Sequence, residues 1–343
     1  MGVNQTIEEG TRDFLWTYGC EQHLVSRFLR TASGFEERRD GALAIIRQII
    51  VNNGKQEVLG HLDELCRVEH GIRELDQKAR DHVVHALLTF LLGVHLDLYF
   101  LKVSLAEPLE WKIAGLLHDV AYPAQTAAKL SKSFADQMNA IGQSLDADLP
   151  TMNFAHELKG LDRLTDGASG LSLIQGRIDS WGLRISAGHE YAKKMGSGEI
   201  CHGMLSGLAI LKIIDLMYHK YNPRGHYHDV FTRGGINWNR SFFDDHIVSA
   251  CSAIFIHNLP DGCFEAAPLR RERAPLAFLL RPADCLQDWW RPLWGNPDGF
   301  PDDMYEMRVD DGTLIFIASD PVRRRNIEEG IGNSLVASDI LIL

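Results

Sequence analysis

Apolar residues recur at helical spacing through most of the chain. The spacing predicts helices over 11–30, 41–51, 55–69, 76–102, 109–120, 126–142, 200–221, 243–257 and 274–291. Glycine and proline punctuate the gaps, as in Asn53-Gly54, Tyr122-Pro123 and the run from Asn222 to Gly225. Between 143 and 190 the pattern is mixed and glycine-rich, the mark of long loops with short helices that often shape a site. After Pro301 the period changes to two. MYEMRVDDGTLIFIAS alternates around Asp310-Asp311-Gly312, a hairpin signal, and SLVASDILIL offers a further strand. The expected architecture is mainly α: an N-terminal helical extension over 1–75, a helical core over 76–295 and a small β-rich appendage over 296–343. No internal repeat or low-complexity tract interrupts it.

The most apolar stretch, from Val83 to Leu101, raises the question of a membrane span. His85, His95 and Asp97 interrupt it, so a core helix is expected. The totals agree with a globular chain, at 45% hydrophobic and 24% charged residues. A formal net charge of -11 argues against general binding to nucleic acid or to an anionic membrane. It leaves room for a small phosphate held by a few local cations. Six cysteines lie far apart with no CxxC pair, which fits reduced thiols and a cytoplasmic setting. The opening MGVNQT matches a short myristoylation pattern, but no polybasic stretch or second lipid signal accompanies it.

Chemistry enters where polar residues break the apolar helices. His82 and His85 sit three apart in RDHVVHALLTFLLG, and His118-Asp119 close GLLHDV. His202 opens HGMLSGLAIL, His257 closes AIFIHN, and Asp284 lies within PLAFLLRPADCLQDWW. Each alone reads as a satisfied core histidine or a capping carboxylate. Together they make one set of imidazoles and carboxylates, because a buried carboxylate is costly unless paired or metal-bound. Such donors suit one or two ions of Mn, Fe, Co, Ni or Zn, and the lack of thiolates argues against a structural zinc site.

The order His, His-Asp, His, His, Asp resembles the HD-domain superfamily of metal-dependent phosphohydrolases, over roughly residues 78–291. HALLTFLLG is similar to the family's first-histidine helix, GLLHDVAYP to its HD signature and HGMLSGLAIL to the segment of its third histidine. AIFIHN and PLAFLLRPADCLQDW resemble the last two pieces. The resemblance implies an HD-type helical core with His85, His118, Asp119, His202, His257 and Asp284 as ligands, His82 competing with His85 for the first place. It implies a phosphohydrolase or phosphodiesterase that attacks a nucleotide or cyclic nucleotide with a metal-activated hydroxide. Two alternatives share the pattern: a mixed-valence diiron oxygenase and a nucleotide-sensing regulatory module.

Around these ligands, Arg281 and Lys112 are the candidate catalytic cations, with Arg80 a third nearby cation. Arg281 stands three residues before Asp284. His82, His189, Arg281 and Gln287 are candidates for contacting substrate, and Trp289 and Trp290 for stacking a base. His226 and His228 read as a solvated loop. The expected partner is a small phosphorylated, nucleotide-like molecule, and self-association into a homo-oligomer is compatible with the chain.

Overall fold

The computed structural model describes residue 8 and residues 22–30, 35–51, 81–98, 108–144, 160–197, 199–221, 232–233, 236–237, 240–287, 305–310, 313–318, 321–335 and 340–343. The described part is mainly helical. Eleven helices are used below: α1 (Gln22–Arg30), α2 (Phe35–Val51), α3 (Val83–Leu96), α4 (Pro108–Leu117), α5 (Tyr122–Ser144), α6 (Gly170–Ser180), α7 (Ala187–Gly196), α8 (His202–Tyr221), α9 (Val248–Ile256), α10 (Pro275–Leu286) and α11 (Pro321–Ile331). Prolines at or beside the first helical position open α4, α5, α10 and α11, where a missing N–H costs nothing. The expected helix over 55–69 lies outside the described residues, as do Arg80, His226, His228, Trp289 and Trp290.

The centre of the core is α9, whose every residue is buried. Helices α4, α6, α8 and α10 pack around it, while α3 lies against α2, α4 and α10. In α3 all residues but His95 are buried, which explains the length of its apolar run without a bilayer. Among the described residues no helix is long and apolar enough to cross a membrane.

Helices α8 and α9 approach closely because two glycines of α8 face α9. A Cβ at Gly207 would stand 2.6 Å from the Cys251 carbonyl oxygen, and one at Gly203 would stand 2.9 Å from the His257 ring. A similar contact joins α3 to α4, where Gly93 leaves room for Trp111. The Trp111 indole donates to the Phe90 carbonyl at 3.0 Å.

Two short strands, β1 (Thr232–Arg233) and β2 (Ile236–Asn237), pair antiparallel. The larger sheet is C-terminal. Strands β3 (Tyr305–Asp310) and β4 (Thr313–Ala318) pair antiparallel from Tyr305↔Ala318 to Asp310↔Thr313. Strand β5 (Ile340–Ile342) then pairs parallel to β4, a connection that requires a crossover, and α11 supplies it. The alternation after Pro301 thus corresponds to a sheet. Its buried residues Leu314 and Phe316, with Ile327, Ile331 and Leu335, join the same hydrophobic cluster as α9 and α10.

Candidate metal centre

Six side chains from five places in the chain meet at one end of this core. His85 is the third residue of α3, whose first turn is held by Asp81; its Oδ1 accepts from Val83 N at 2.8 Å and Val84 N at 3.1 Å. His118 and Asp119 occupy the tight turn between α4 and α5. Tyr122 N donates to Asp119 O at 2.9 Å across that turn, and Ala121 N donates to the Ser206 hydroxyl of α8 at 3.0 Å. His202 is the first residue of α8, His257 directly follows α9, and Asp284 lies in the last turn of α10.

The imidazoles are turned by a common device. His118 Nδ1 donates to Gly115 O at 3.1 Å and His257 Nδ1 to Ile254 O at 2.6 Å. His202 Nδ1 donates to Gln125 Oε1 at 2.7 Å, with the Asn258 amide 3.3 Å from the same nitrogen. His85 Nδ1 donates to Gln287 Oε1 in a short contact. Each acceptor is an oxygen, so each Nδ1 carries hydrogen and each Nε2 is left to face the carboxylates.

The Nε2 atoms and carboxylate oxygens converge. Asp119 Oδ1 lies 3.2 Å from His202, 3.6 Å from His118 and 3.7 Å from His257, while Oδ2 lies 3.7 Å from His85. Asp284 Oδ1 is 2.8 Å from His85 and 3.5 Å from His118. Two overlapping groups result, His85–His118–Asp284 and His118–Asp119–His257, each with ligand atoms within 4.8 Å of one another. Asp119 faces all four imidazoles.

Charge follows from this packing. Burial works against both carboxylates' ionised forms, but the facing histidines outweigh it and hold Asp119 and Asp284 well below the usual carboxylate range. Burial would likewise lower His118, yet Asp119 and Asp284 raise it to about 9. Burial lowers His257 against the pull of Asp119, so it stays neutral. Protonated His118 offsets one of the two carboxylate charges. Asp119 Oδ1 and His257 Nε2 are buried with no hydrogen-bond partner. A divalent cation fits: it would take up both orphaned atoms and offset the carboxylate charge. The donors are nitrogen and oxygen alone. The neighbouring Cys285 thiol is pushed up to about 12, chiefly by burial, and stays protonated.

The remaining sequence candidates are placed as follows. His82 is buried and stacks on Tyr122 with ring centres 3.6 Å apart, beside the cluster and not within either group. Gln287 sits behind His85 as its acceptor. Arg281 is 4% exposed, and its guanidinium donates to His257 O at 3.1 Å, Leu259 O at 2.9 Å and Asp261 Oδ1 at 2.7 Å while lying over Phe264. It therefore fixes the segment after α9 instead of presenting a cation to a phosphate. Lys112 is buried on α4, and His189 is exposed in the first turn of α7. Sequence reasoning missed Gln125, Asn258, Tyr122 and Ser206. Comparison of the chain with protein-family models, with curated proteins and with solved structures returns no match.

Proposed function

We propose that the protein is a cytoplasmic, metal-dependent phosphohydrolase of the HD type, acting on a nucleotide-like phosphate ester or anhydride. One observation supports this above others. Four histidines, each oriented through Nδ1, turn Nε2 toward two carboxylates, and two of the converging atoms lack partners. The order of these ligands along the chain is that of the resemblance given above.

His85, His118, Asp119, His202, His257 and Asp284 would hold one or two ions. Bound there, a divalent cation lowers the pKa of water towards neutrality and neutralises charge on phosphoryl oxygens. The chain itself does the positioning. Gln287, Gly115, Ile254 and Gln125 fix the ring planes, and the buried turn at His118-Asp119 keeps bulk water from the inner side. The Asp284 side chain is 25% exposed and that of His202 12%, against 8% or less for the other four, so substrate enters along the Asp284–His202 edge. Neither depressed carboxylate is a strong base.

The test is a hydrolysis screen of the full chain with added manganese. Nucleoside triphosphates, deoxynucleotides, cyclic mono- and dinucleotides and guanosine tetraphosphate form the panel, with Asp119→Ala as control. Product from wild type alone is the expected result. Equal product from Asp119→Ala, or none from wild type on the whole panel, overturns the reading; bound mixed-valence iron in the second case would point to oxygenase chemistry.

A further inference from the structure

A cleft of about 390 Å³ opens beside His202, and three lysines line it in a chain of formal net charge -11. Two of its lining residues, Gln125 and Asn258, are the side chains that contact His202 Nδ1. The cleft therefore lies against the Nδ1 edge of His202, whose Nε2 faces Asp119. Gln125, Lys129 and Lys132 are spaced four and three apart on α5, along one face. At the helical rise, Lys129 and Lys132 stand roughly 6 and 10 Å further along that face than the residue that holds His202.

The third lysine, Lys194, comes across from α7 and pairs with Glu199 at 2.7 Å. The lysines converge on Glu199: the Lys194 hydrogen bond and charge, then Lys132 and Lys129, hold its carboxyl below the usual range. Among the described residues the Lys194–Glu199 contact is the ion pair of the cleft; Lys129 and Lys132 are exposed and feel Glu199 only at a distance. Glu199 thus sits where an incoming anion would sit. The rest of the lining is largely apolar, as expected of a pocket that also seats an organic group.

We infer that this cleft is the seat of a second phosphate group, so that the site takes molecules carrying at least two phosphates in preference to those carrying one. Its role in selecting a substrate rests on the phosphohydrolase reading; the anion seat itself does not. Lys129 and Lys132 supply the attraction, Lys194 joins them when an anion displaces Glu199, and Glu199 sets the threshold by competing.

Calorimetric titration tests the seat on the full chain after removal of metal by chelation and dialysis. The probes are inorganic tripolyphosphate and inorganic phosphate. Tripolyphosphate should bind at least about tenfold more tightly, and Lys129→Gln/Lys132→Gln should erase about tenfold of that affinity. Glu199→Gln should tighten binding severalfold, an opposite sign that a general loss of structure cannot imitate. Unchanged affinity in the lysine double variant, or weaker binding in Glu199→Gln, overturns the seat whatever the metal centre does. Binding that follows the lysines while the manganese-loaded protein hydrolyses nothing leaves the seat standing and removes the phosphohydrolase reading.

Discussion

Gln287 shows how much of a metal centre lies one bond behind its ligands. It is 1% exposed, and its amide oxygen takes the Nδ1 proton of His85 from 202 residues away. Gln287→Leu removes that acceptor while keeping the volume, so His85 loses its fixed tautomer and ring plane. Manganese affinity should fall about 10–100-fold with the helical signal intact; an unchanged affinity by calorimetry would show that Gln287 does not orient His85. A second residue contributes to the pH response. Burial lowers His95 to about 4, so the folded chain holds it neutral while the unfolded chain protonates it near 6.5. Between those values the unfolded state binds more protons, and stability drops as pH falls through the window. The loss from this group is at most about 3 kcal/mol. Urea midpoints at pH 7.5 and 4.5 should differ less in His95→Leu than in wild type.

At the scale of elements, the ligands were legible because each breaks an otherwise apolar helix: His85 in α3, His118-Asp119 after α4, His257 after α9. Their orienting partners were not. Gln125 reads as an ordinary polar residue of an amphipathic helix, and nothing local ties it to His202 in a later helix. Boundaries fared less well. The reading began a helix at 126, treating Tyr122-Pro123 as a stop, whereas Pro123 lies in the first turn of α5. Helix α11 escaped notice because PVRRRNIEEGI is polar nearly all round, with Ile327 and Ile331 its buried residues. The short residues of HGMLSGL carry a prediction. At Gly207 a Cβ meets the Cys251 carbonyl and Phe255, so Gly207→Ala must push α8 from α9 and shift His202 against His257. It should cost about 1–3 kcal/mol and weaken metal binding as well. Gly176→Ala on the exposed face of α6, where a Cβ meets nothing within 4 Å, should instead gain about 0.5–1 kcal/mol and leave metal binding alone. Thermal melts with and without manganese separate the two.

For the whole molecule, the described residues of all three parts read from the sequence contribute to one hydrophobic cluster. Ile45, Ile46 and Ile49 of α2, the residues of α9 and α10, and Phe316 of β4 belong to it. Helix α11 packs on α10, and Leu269 N donates to Ser334 O at 2.8 Å, so the C-terminal sheet and its crossover brace the helix that carries Asp284. Phe316 is fully buried in that brace. Phe316→Ala should cost about 3–5 kcal/mol. If the core is continuous, the whole chain bears that cost: one calorimetric transition, shifted down by several degrees, with the manganese-induced rise in melting temperature preserved because no ligand has been touched. An appendage that folds by itself would behave differently. The substitution would then split off a low-temperature transition and leave the main one, and its response to manganese, where they were.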